Sequence, residues 1–308
     1  IQKIKRIIMV RFVTLITFLL FTYSTFSQRW RDERHSLVLD AGISHFMGDL
    51  GGGAKDAAHF FGIRDLDFAS TRPVVSLKYR YRFLEMVSAK AGLTWAVLAA
   101  DDALSGSDGR KMRNLSFTSN VIQFSAHGEY YFIREKSNPR YSFSSLHSIR
   151  NFSAYAFTGF SINYFNPKAK LDGTKYALQP LGTEGQGLPG NPAKYSKIAI
   201  GWPLGLGVKY SLNRKFAVGL EISNTYTTSD YIDDAHDKYF DNNAISAAYG
   251  EVAGILADRH TDIDGNDLPP YESGTPRRGN PKYKDAFLFT VVTITYKLKR
   301  DNTGLPKF

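Results

Sequence analysis

Apolar and polar side chains alternate strictly along the stretch VSLKYRYRF, residues 75–83. The apolar and aromatic members are Val75, Leu77, Tyr79, Tyr81 and Phe83, and Ser76, Lys78, Arg80 and Arg82 stand between them. Successive side chains of a β-strand point to opposite faces of the sheet. This period of two therefore predicts a strand with one apolar face and one cationic face.

The same alternation recurs along the chain and predicts seven further strands. They cover residues 36–44, 87–97, 121–132, 153–164, 198–212, 216–223 and 288–298. Ordinary strands average about five or six residues, whereas a tilted strand that crosses a bilayer needs about nine to eleven. The length of these segments, and the aromatic residues near their ends, favour a membrane barrel over a sandwich.

The connections between the predicted strands alternate between long and short. Tight turns are predicted at Leu84-Glu85 and Asn213-Arg214, and residues 134–151 form an intermediate connection on the same side. The long connections are residues 46–72, 99–115, 166–197 and 228–285. Since lipid offers no hydrogen-bond partners, the sheet must close on itself. We therefore predict an all-β fold, an eight-stranded antiparallel up-and-down transmembrane β-barrel with long external loops and periplasmic turns.

The polar faces of these strands point into the predicted barrel and carry many charges. The bore of an eight-stranded barrel is just wide enough for its own side chains. Buried charges persist there only in a paired, hydrogen-bonded network, which predicts a plugged barrel without passive transport. The expected network consists of Asp40, Lys78, Arg80, Arg82, Lys90, His127, Glu129, Lys209 and Glu221.

The N-terminal segment has the pattern of a secretory signal peptide. Basic residues precede an apolar run at 12–21, and small residues lead to a cleavage site after Ser27. The alternative is a membrane anchor helix, for which the run is short; Met9 is a possible start of translation. The predicted organisation is a signal peptide at 1–27 and one barrel domain at 28–308. A signal peptide together with a transmembrane β-barrel predicts that the protein is an integral protein of the bacterial outer membrane.

Composition excludes several classes of function. The sequence contains no cysteine, so it has no disulfide, no thiolate zinc site and no lipid-modified N-terminal cysteine. Its net charge is +10, and the predicted signal peptide holds four positive and no negative residues, which leaves +6. That excess does not indicate nucleic-acid binding in an exported protein. We expect no cofactor and no resident metal.

Two segments resemble ligand-binding motifs. LGTEGQG, residues 181–187, has the glycine spacing of a phosphate loop, but prolines and then a strand follow it where a helix would be needed. We interpret it as a shaped loop that uses glycine for positive φ angles. Residues 262–267, DIDGND, resemble a calcium loop, yet Asp267 and Ser273 stand where an EF-hand needs glycine and glutamate. A solvated turn is favoured, with a nonstandard calcium site as the alternative.

Two further sets of residues are candidates for chemistry or for docking. Ser125, His127 and Glu129 share one face of a strand, which allows a hypothesis of nucleophilic lipid hydrolysis. Residues two apart on one strand are separated by about 6.6 Å, so the pattern also fits simple packing in the bore. The basic connection residues Arg134, Lys136, Arg140 and Arg150 are predicted to face the periplasm, as a docking site for an acidic protein or as a solvated turn.

Several segments together resemble the PorG family, the outer-membrane barrel component of the type IX secretion system. They are MGDLGGG, RNLSFTSNVIQFSAHGEYYF, YAFTGFSINYFNPKAKLDGTKYALQPLGTEGQG, PLGLGVKYSLNRKFAVGLEISNTYTTSDYIDDAHDKY and RRGNPKYKDAFLFTVVTITYKLK. The likeness covers nearly the whole mature chain, and residues 243–276 contribute least. It singles out one loop as a family feature: Pro180, Gly182, Thr183, Glu184, Gly185, Gln186 and Gly187.

The resemblance implies a non-enzymatic component that anchors the periplasmic PorK–PorN ring to the outer membrane. In that family the ring works with the inner-membrane PorL–PorM motor in protein export or gliding. Two other hypotheses stay open: a general envelope barrel for membrane integrity or surface interaction, and a lipid-modifying barrel enzyme that uses His127 and Ser125. Outer-membrane lipid is an expected partner in all three.

Overall fold

The computed structural model describes residues 34–52, 68–135, 148–149, 151–262, 264–271, 274, 276–300 and 306–307. The predicted signal peptide lies outside the described residues. Strands in the described part are β1 (His35–Met47), β2 (Arg72–Arg82), β3 (Val87–Asp101), β4 (Ser116–Glu135), β5 (Ser148–Ile149), β6 (Phe152–Tyr164), β7 (Pro167–Leu171), β8 (Thr174–Ala177), β9 (Ile198–Ser211), β10 (Phe216–Thr227), β11 (Ala286–Arg300) and β12 (Pro306–Lys307). Helices are α1 (Asp108–Arg113), α2 (Asn242–Tyr249) and α3 (Glu251–Ala257), with 3-10 turns at Phe68–Ser70, Asp102–Leu104 and Gln179–Leu181.

Eight of these described strands form a closed antiparallel ring. In order around the ring they are β1, β2, β3, β4, β6, β9, β10 and β11. The ring closes because β1 also pairs with β11 along its whole length, from His35 opposite Leu298 to Met47 opposite Ala286. No edge of the barrel is left unpaired in this ring, as a lipid environment requires. The predicted eight-stranded up-and-down barrel is confirmed.

The outer wall of the barrel is apolar. Along β9 every second residue is exposed and every second one is buried, and the exposed set runs from Ile198 to Tyr210. Exposure reaches 69% for Phe160 and 62% for Leu206. Such a continuous exposed apolar belt is far larger than any patch on an ordinary soluble monomer, so the belt faces lipid.

Aromatic side chains mark both ends of the belt. Exposed aromatics at the end of the short turns are Tyr79, Phe83, Tyr130, Phe132, Tyr210 and Phe216, and at the opposite end Trp95, Tyr164 and Trp202. Tyrosine and tryptophan favour the interface between hydrocarbon and headgroups because their rings are apolar and their tips are polar. The two sets therefore outline the membrane-spanning height of the wall.

The connections follow the predicted alternation. Residues 83–86 and 212–215 make the tight turns after β2 and β9, and the connection after β4 is on the same end. Chain direction places the long connections 48–71, 102–115, 165–197 and 228–285 at the opposite end. The first residue of β1 and the last residue of β11 lie at the end of the barrel that carries the short turns. This is the arrangement expected for periplasmic turns and termini with external loops.

The described parts of the long connections contain secondary structure that the sequence analysis did not predict. Residues 166–197 were expected to be a loop, but Asp172-Gly173, with φ of 49° and 83°, turns the chain into the β7–β8 hairpin. Residues 242–257 contain α2 and α3. Together the connections bury an apolar cluster that includes Leu50, Leu115, Phe165, Ile232 and Leu256. We call this folded layer the cap. Among the described residues, no helix is long and apolar enough to cross a bilayer.

Candidate functional site

A salt bridge spans the full width of the bore. Nζ of Lys90 on β3 lies 2.6 Å from Oε1 of Glu221 on β10. Around the ring, three strands separate β3 from β10 in either direction, so the two residues project from opposite walls. Both side chains are buried. The contact therefore closes the bore across its diameter.

The remaining walls contribute to the same layer of charge. Nη2 of Arg80 on β2 donates to Oε1 of Glu129 on β4 at 3.0 Å, and Lys90 Nζ lies 3.1 Å from that same oxygen. Tyr155 on β6 donates its hydroxyl to Glu221 at 2.6 Å. Two cations thus meet two carboxylates with additional hydroxyl donors, which is the arrangement that makes buried charges tolerable. We call Arg80, Lys90, Glu129, Glu221 and Tyr155 the bore network.

Glycines in β9 make room for this network. A Cβ added at Gly207 would lie 2.5 Å from Cζ of Tyr155, and one added at Gly205 would lie 2.4 Å from Cζ of Phe157. The two rings therefore lie directly against the glycine backbone of the neighbouring strand. This close approach lets the Tyr155 hydroxyl reach toward the axis of the barrel and bond to Glu221.

The other predicted interior charges lie on the inner wall in separate contacts. Asp40 pairs with Lys78 on the adjacent strand, with 2.7 Å between carboxylate oxygen and Nζ. Arg82 and Lys209 both face the ring of Tyr131, each 5.2 Å from its centroid. Cations over an aromatic face are stabilised by the ring quadrupole. The structure therefore brings together four of the nine predicted residues in the bore network and places the others elsewhere on the inner wall.

The predicted serine, histidine and glutamate set does not assemble into a catalytic arrangement. All three lie inside the bore, but Ser125 Oγ and both ring nitrogens of His127 have no hydrogen-bond partner among the described residues. Glu129 is held by Arg80 and Tyr131. His127 packs its ring 5.3 Å from that of Phe157. A nucleophile needs a hydrogen-bonded base, and the base needs an orienting group. Neither contact is present here.

The LGTEGQG loop is a structural part of the cap. Gly182, Gly185 and Gly187 have φ of 56°, 80° and 84°, which confirms the expectation of positive φ angles. Two residues of the loop form hydrogen bonds with the connection after β10. Thr183 donates its hydroxyl to Asp234, and Glu184 accepts the backbone N–H of His236 at 2.8 Å. The side chains of Thr183 and Glu184 therefore join the connection after β6 to the connection after β10.

The backbone of the same loop is held as well. The carbonyl of Gln186 accepts the hydroxyl of Tyr249 at 3.0 Å, and the Gln186 side chain accepts the N–H of Glu184, also at 3.0 Å. The carbonyl of Pro180 accepts Nζ of Lys194. These contacts hold the loop against Tyr249 at the end of α2.

Arg278 is the centre of this part of the cap, and sequence reasoning missed it. Its guanidinium lies 3.2 Å from Oε1 of Glu184 and 3.3 Å from Oδ2 of Asp234, and Nε donates to the carbonyl of Ala257 at 3.2 Å. Tyr195 donates to the second oxygen of Asp234 at 2.6 Å. Three of the segments that carry the family resemblance, LGTEGQG, SDYIDD and RRGNPKYKD, therefore meet at one buried arginine.

Arg113 makes a second junction between connections. It forms two bonds to Asp102, Nε to Oδ2 at 2.6 Å and Nη2 to Oδ1 at 2.8 Å. It also donates to the carbonyl of Asp49 and to the carbonyl of Arg278, both at 2.7 Å. A bidentate arginine–carboxylate pair is both strong and directional. Arg113 thus joins the connections after β1, β3 and β10.

Four buried carboxyl groups lie where the first and last connections meet: Asp49, Asp230, Asp233 and Asp285. Burial raises the pKa of Asp233, and the neighbouring Asp49 raises it further. Burial likewise raises the pKa of Asp285, with added contributions from Asp233, Asp230 and Asp49. Burial raises the pKa of Asp230 to about 6, although His236 Nδ1 lies 2.5 Å from its carboxylate. Burial thus favours the protonated form of Asp230, Asp233 and Asp285.

The calcium-like segment folds as a turn in the described part of this connection. Oδ1 of Asp262 accepts the N–H of Asp264 at 3.0 Å and that of Asn266 at 2.8 Å. The hydrogen bond from the Asn266 side chain is the main reason that the pKa of Asp262 is lowered. Its carboxylate is thus used within the turn. No group of three or more potential metal-ligating side chains occurs among the residues that the structure describes.

The basic connection is only partly described. Arg134, at the end of β4, pairs with Glu85 of the neighbouring turn, with Nη1 2.7 Å from Oε2. Arg134 thus forms an ion pair with a residue at the same end of the barrel. Lys136, Arg140 and Arg150 lie outside the described residues.

These features define a class: a transmembrane β-barrel whose bore is closed by an internal ion network and whose external connections form a packed cap. The chain belongs to the family described as "Domain of unknown function (DUF6089)", whose model matches residues 11–255. No curated protein sequence matches the chain.

Solved structures of small outer-membrane proteins show a distant likeness. Neisserial surface protein A is 9% identical over 85% of this chain and 96% of that protein, with a TM-score of 0.37. OprG of Pseudomonas aeruginosa is 8% identical over 87% of this chain and 99% of that protein, with a TM-score of 0.34. Ail of Yersinia pestis is 9% identical over 86% and 98%, with a TM-score of 0.31. The barrel assignment here depends on strand pairing and on the apolar wall.

Proposed function

We propose that the protein is a structural, non-enzymatic barrel of the bacterial outer membrane that anchors the periplasmic PorK–PorN ring of the type IX secretion machinery. On this proposal the signal peptide is removed near Ser27, and the mature barrel supplies a rigid membrane attachment. The resemblance to the PorG family supports the choice of machinery. The supporting observation from the structure is the Lys90–Glu221 contact across the bore, because a closed cylinder suits an anchor and not a conduit.

The end of the barrel with the short turns is the proposed docking face. It carries the turns after β2 and β9, the connection after β4, and the chain ends of β1 and β11. The basic residues Lys136, Arg140 and Arg150 belong to this end by chain order. Arg134 contributes less on this proposal, since Glu85 already pairs with it. The opposite end holds the cap, whose family loop is turned inward on Arg278 and Asp234.

Deletion of the gene tests the proposed function directly. We expect loss of type IX cargo from the culture medium, with PorK and PorN no longer copurifying with outer-membrane fractions. Restoration by a plasmid copy is the control for polar effects. Normal cargo secretion in the deletion strain would contradict the proposal.

Charge reversal tests the docking face. Lys136→Glu, Arg140→Glu and Arg150→Glu in one variant should reduce copurification of the ring proteins from detergent-solubilised membranes. The matched control reverses three exposed cations of the cap, Lys238, Arg277 and Lys282. Ring proteins that copurify equally with both variants would exclude this surface. Crosslinks between the LGTEGQG loop and the ring would instead mean that the inside and outside of the barrel are reversed.

The enzyme hypothesis has its own test. His127→Ala should leave the outer-membrane lipid profile unchanged, because neither His127 nor Ser125 makes the hydrogen bond that a nucleophile needs. A changed acyl-chain or headgroup composition in this variant, but not in a Gln123→Ala variant of the same strand and face, would favour lipid chemistry instead. A general envelope barrel would leave cargo secretion normal in the deletion strain, so the secretion assay distinguishes that hypothesis from the proposed function.

A further inference from the structure

Three lysines lie on one face of the β7–β8 hairpin. In the hairpin register Lys170 pairs directly with Lys175, and Lys168 is two residues before Lys170, so all three side chains share a face. The other face carries Ala169, Leu171 and Tyr176, which pack on the apolar cluster of the cap. The lysine face is therefore directed away from the protein.

The same face continues the lipid-facing wall of the barrel. β7 extends β6 along β4, where Lys168 pairs with Thr118. Residues Asn120, Ile122 and Phe124 follow Thr118 on the same side of β4, and Ile122 and Phe124 are exposed in the apolar belt. Ile122 pairs with Tyr164, one of the exposed aromatic residues at the end of the belt opposite the short turns. The lysines consequently project above the membrane-spanning wall, in line with it.

The lysines lie just above the headgroup layer. Lys168 is four residues beyond Tyr164 in the same register against β4, which at about 3.4 Å per residue is about 14 Å. Barrel strands tilt by about 40°, so the rise above the aromatic set is about 10 Å. The polar layer of a bilayer is about 5 to 8 Å thick on each side. Lys170 and Lys175 are two residues further out and therefore about 5 Å higher. Lysine stems are flexible and can reach back toward the polar layer.

A fourth cation lies beside this face. Arg259, in the connection after α3, donates Nη1 to Oγ of Ser116 at 3.2 Å. Ser116 is two residues from Thr118 on the same face of β4. The nearby carboxylates are Asp172 at the tip of the hairpin and Asp101, which pairs with Ser116 and accepts the N–H of Ala103 at 3.0 Å. The patch is thus a net positive surface with hydroxyl groups between its cations.

The lysine pair is unfavourable without an external partner. Like charges directly opposite each other on adjacent strands destabilise a sheet. In the described part of the chain, no ion pair is formed by Lys168, Lys170 or Lys175. A ligand for this patch must be anionic, and it must also tolerate the apolar wall directly below. A phosphorylated lipid meets both requirements, whereas a soluble acidic protein would meet only the first.

We propose that Lys168, Lys170, Lys175 and Arg259 form a binding site for the phosphate groups of lipid in the outer leaflet. The headgroup phosphates bond to the ammonium and guanidinium groups, and the acyl chains lie along Ile122, Phe124 and Ile162 of the wall. The site fixes lipid against one side of the barrel and fixes the height of the barrel in the membrane. It is independent of the secretion role, because it lies on the lateral wall and not on the periplasmic end.

The experiment compares two charge-matched variants of the full mature barrel in phosphatidylcholine nanodiscs. Lys170→Gln/Lys175→Gln removes two charges from the patch, and Arg214→Gln/Lys215→Gln removes two exposed charges from the opposite rim. Bisphosphorylated lipid A is titrated, and binding is measured by native mass spectrometry. The probes for comparison are dephosphorylated lipid A and inorganic phosphate. Heat-modifiable gel migration checks that each variant is folded.

We expect lipid A to bind the wild type and the rim variant within twofold of each other. The patch variant should bind about 30-fold more weakly, since each lysine near an anionic surface contributes about a factor of five. Equal binding by the patch variant overturns the proposal. So does equal loss in the rim variant, equal binding of dephosphorylated lipid A, or displacement of lipid A by an equal concentration of inorganic phosphate.

Discussion

Lys90 and Glu221 illustrate how single residues close the bore. Both side chains are buried, and each forms an ion pair with a residue on another strand of the barrel. We predict that Lys90→Met lowers the free energy of unfolding by about 3–5 kcal/mol, because it leaves a buried carboxylate without its nearest cation. Urea unfolding in detergent micelles, followed by tryptophan fluorescence, measures the change.

Two further variants make that measurement specific. Lys90→Met/Glu221→Gln should cost less than the sum of the two single changes, since residues in one network are coupled. Lys111→Met removes an exposed pair with Asp108, 3.7 Å apart, and should cost at most about 1 kcal/mol. Additive single changes would show that the two bore residues do not interact.

Gly185 tests whether the family loop is a packing element. Its φ is 80°, and a Cβ there would lie 2.6 Å from Cγ of Phe240, whereas Gly190 has φ of 85° with no atom within 4 Å of an added Cβ. Gly190→Ala should cost about 1–2 kcal/mol from the backbone alone. Gly185→Ala should cost about 1–3 kcal/mol more from overpacking. The rate of limited proteolysis within the cap reports the difference, and equal rates would contradict the packing role.

At this scale the sequence predicted which charges face inward but not which of them pair. Alternation along a strand determines the side of the sheet on which Lys90 lies. The partner across the bore depends on how the strands of opposite walls are staggered when the barrel closes. Arg278 and Arg113 were missed for a related reason. They lie in connections without periodicity, and their partners are up to 165 residues away in the chain.

At the scale of elements, we predict that the stability of the cap depends on pH. Burial and neighbouring carboxylates raise the pKa of Asp233 and Asp285 in the folded state, and burial raises that of Asp230 to about 6. An unfolded aspartate has a pKa of about 3.9. The folded cap therefore binds protons more tightly, and its stability falls as pH rises from about 4 through the folded pKa values. Lys284, 3.8 Å from Asp230, and Arg113 oppose this effect in part.

Asp285→Asn tests that dependence. The substitution keeps an oxygen for the N–H of Ile232, which now bonds to Oδ2 at 2.8 Å, and removes one negative charge. The wild-type cap should be more resistant to proteolysis at pH 5 than at pH 8, and the variant should lose much of this difference by gaining resistance at pH 8. Asp108→Asn, on the exposed side of α1, is the control and should leave the pH profile unchanged. A wild-type profile that rises with pH would contradict the assignment.

Among the elements, the barrel strands were predictable and the cap was not. A transmembrane strand must present lipid-facing and bore-facing residues in turn over its whole length, so the pattern is long enough to identify. The β7–β8 hairpin alternates over only a few residues, and Asp172-Gly173 was its one local signal. Helices α2 and α3 are too short for a clear helical period, and they exist because packing on the cap stabilises them.

At the scale of the whole molecule, the bore network and the cap predict a barrier to ions. The reconstituted barrel should give no stable conductance in planar bilayers, because the Lys90–Glu221 contact spans the bore and places buried charges in its path. Replacing Arg80, Lys90, Glu129 and Glu221 together by alanine should produce measurable channel openings if the barrel still folds, as judged by heat-modifiable migration. A steady ohmic conductance in the wild type would show that the bore is open.

The seam between β1 and β11 has a consequence for biogenesis. Each barrel strand except these two pairs with the barrel strands that precede and follow it in the chain. β1 instead pairs with β11, which starts 239 residues after β1 ends. Asp49 and Asp285, which follow β1 and precede β11, then lie together at the outer rim. A nascent chain truncated before β11 would leave β1 and β10 with open edges in the bilayer. Insertion should therefore be completed only when the C-terminal strand arrives, and truncation there should stall the chain on the assembly machinery as an unclosed sheet.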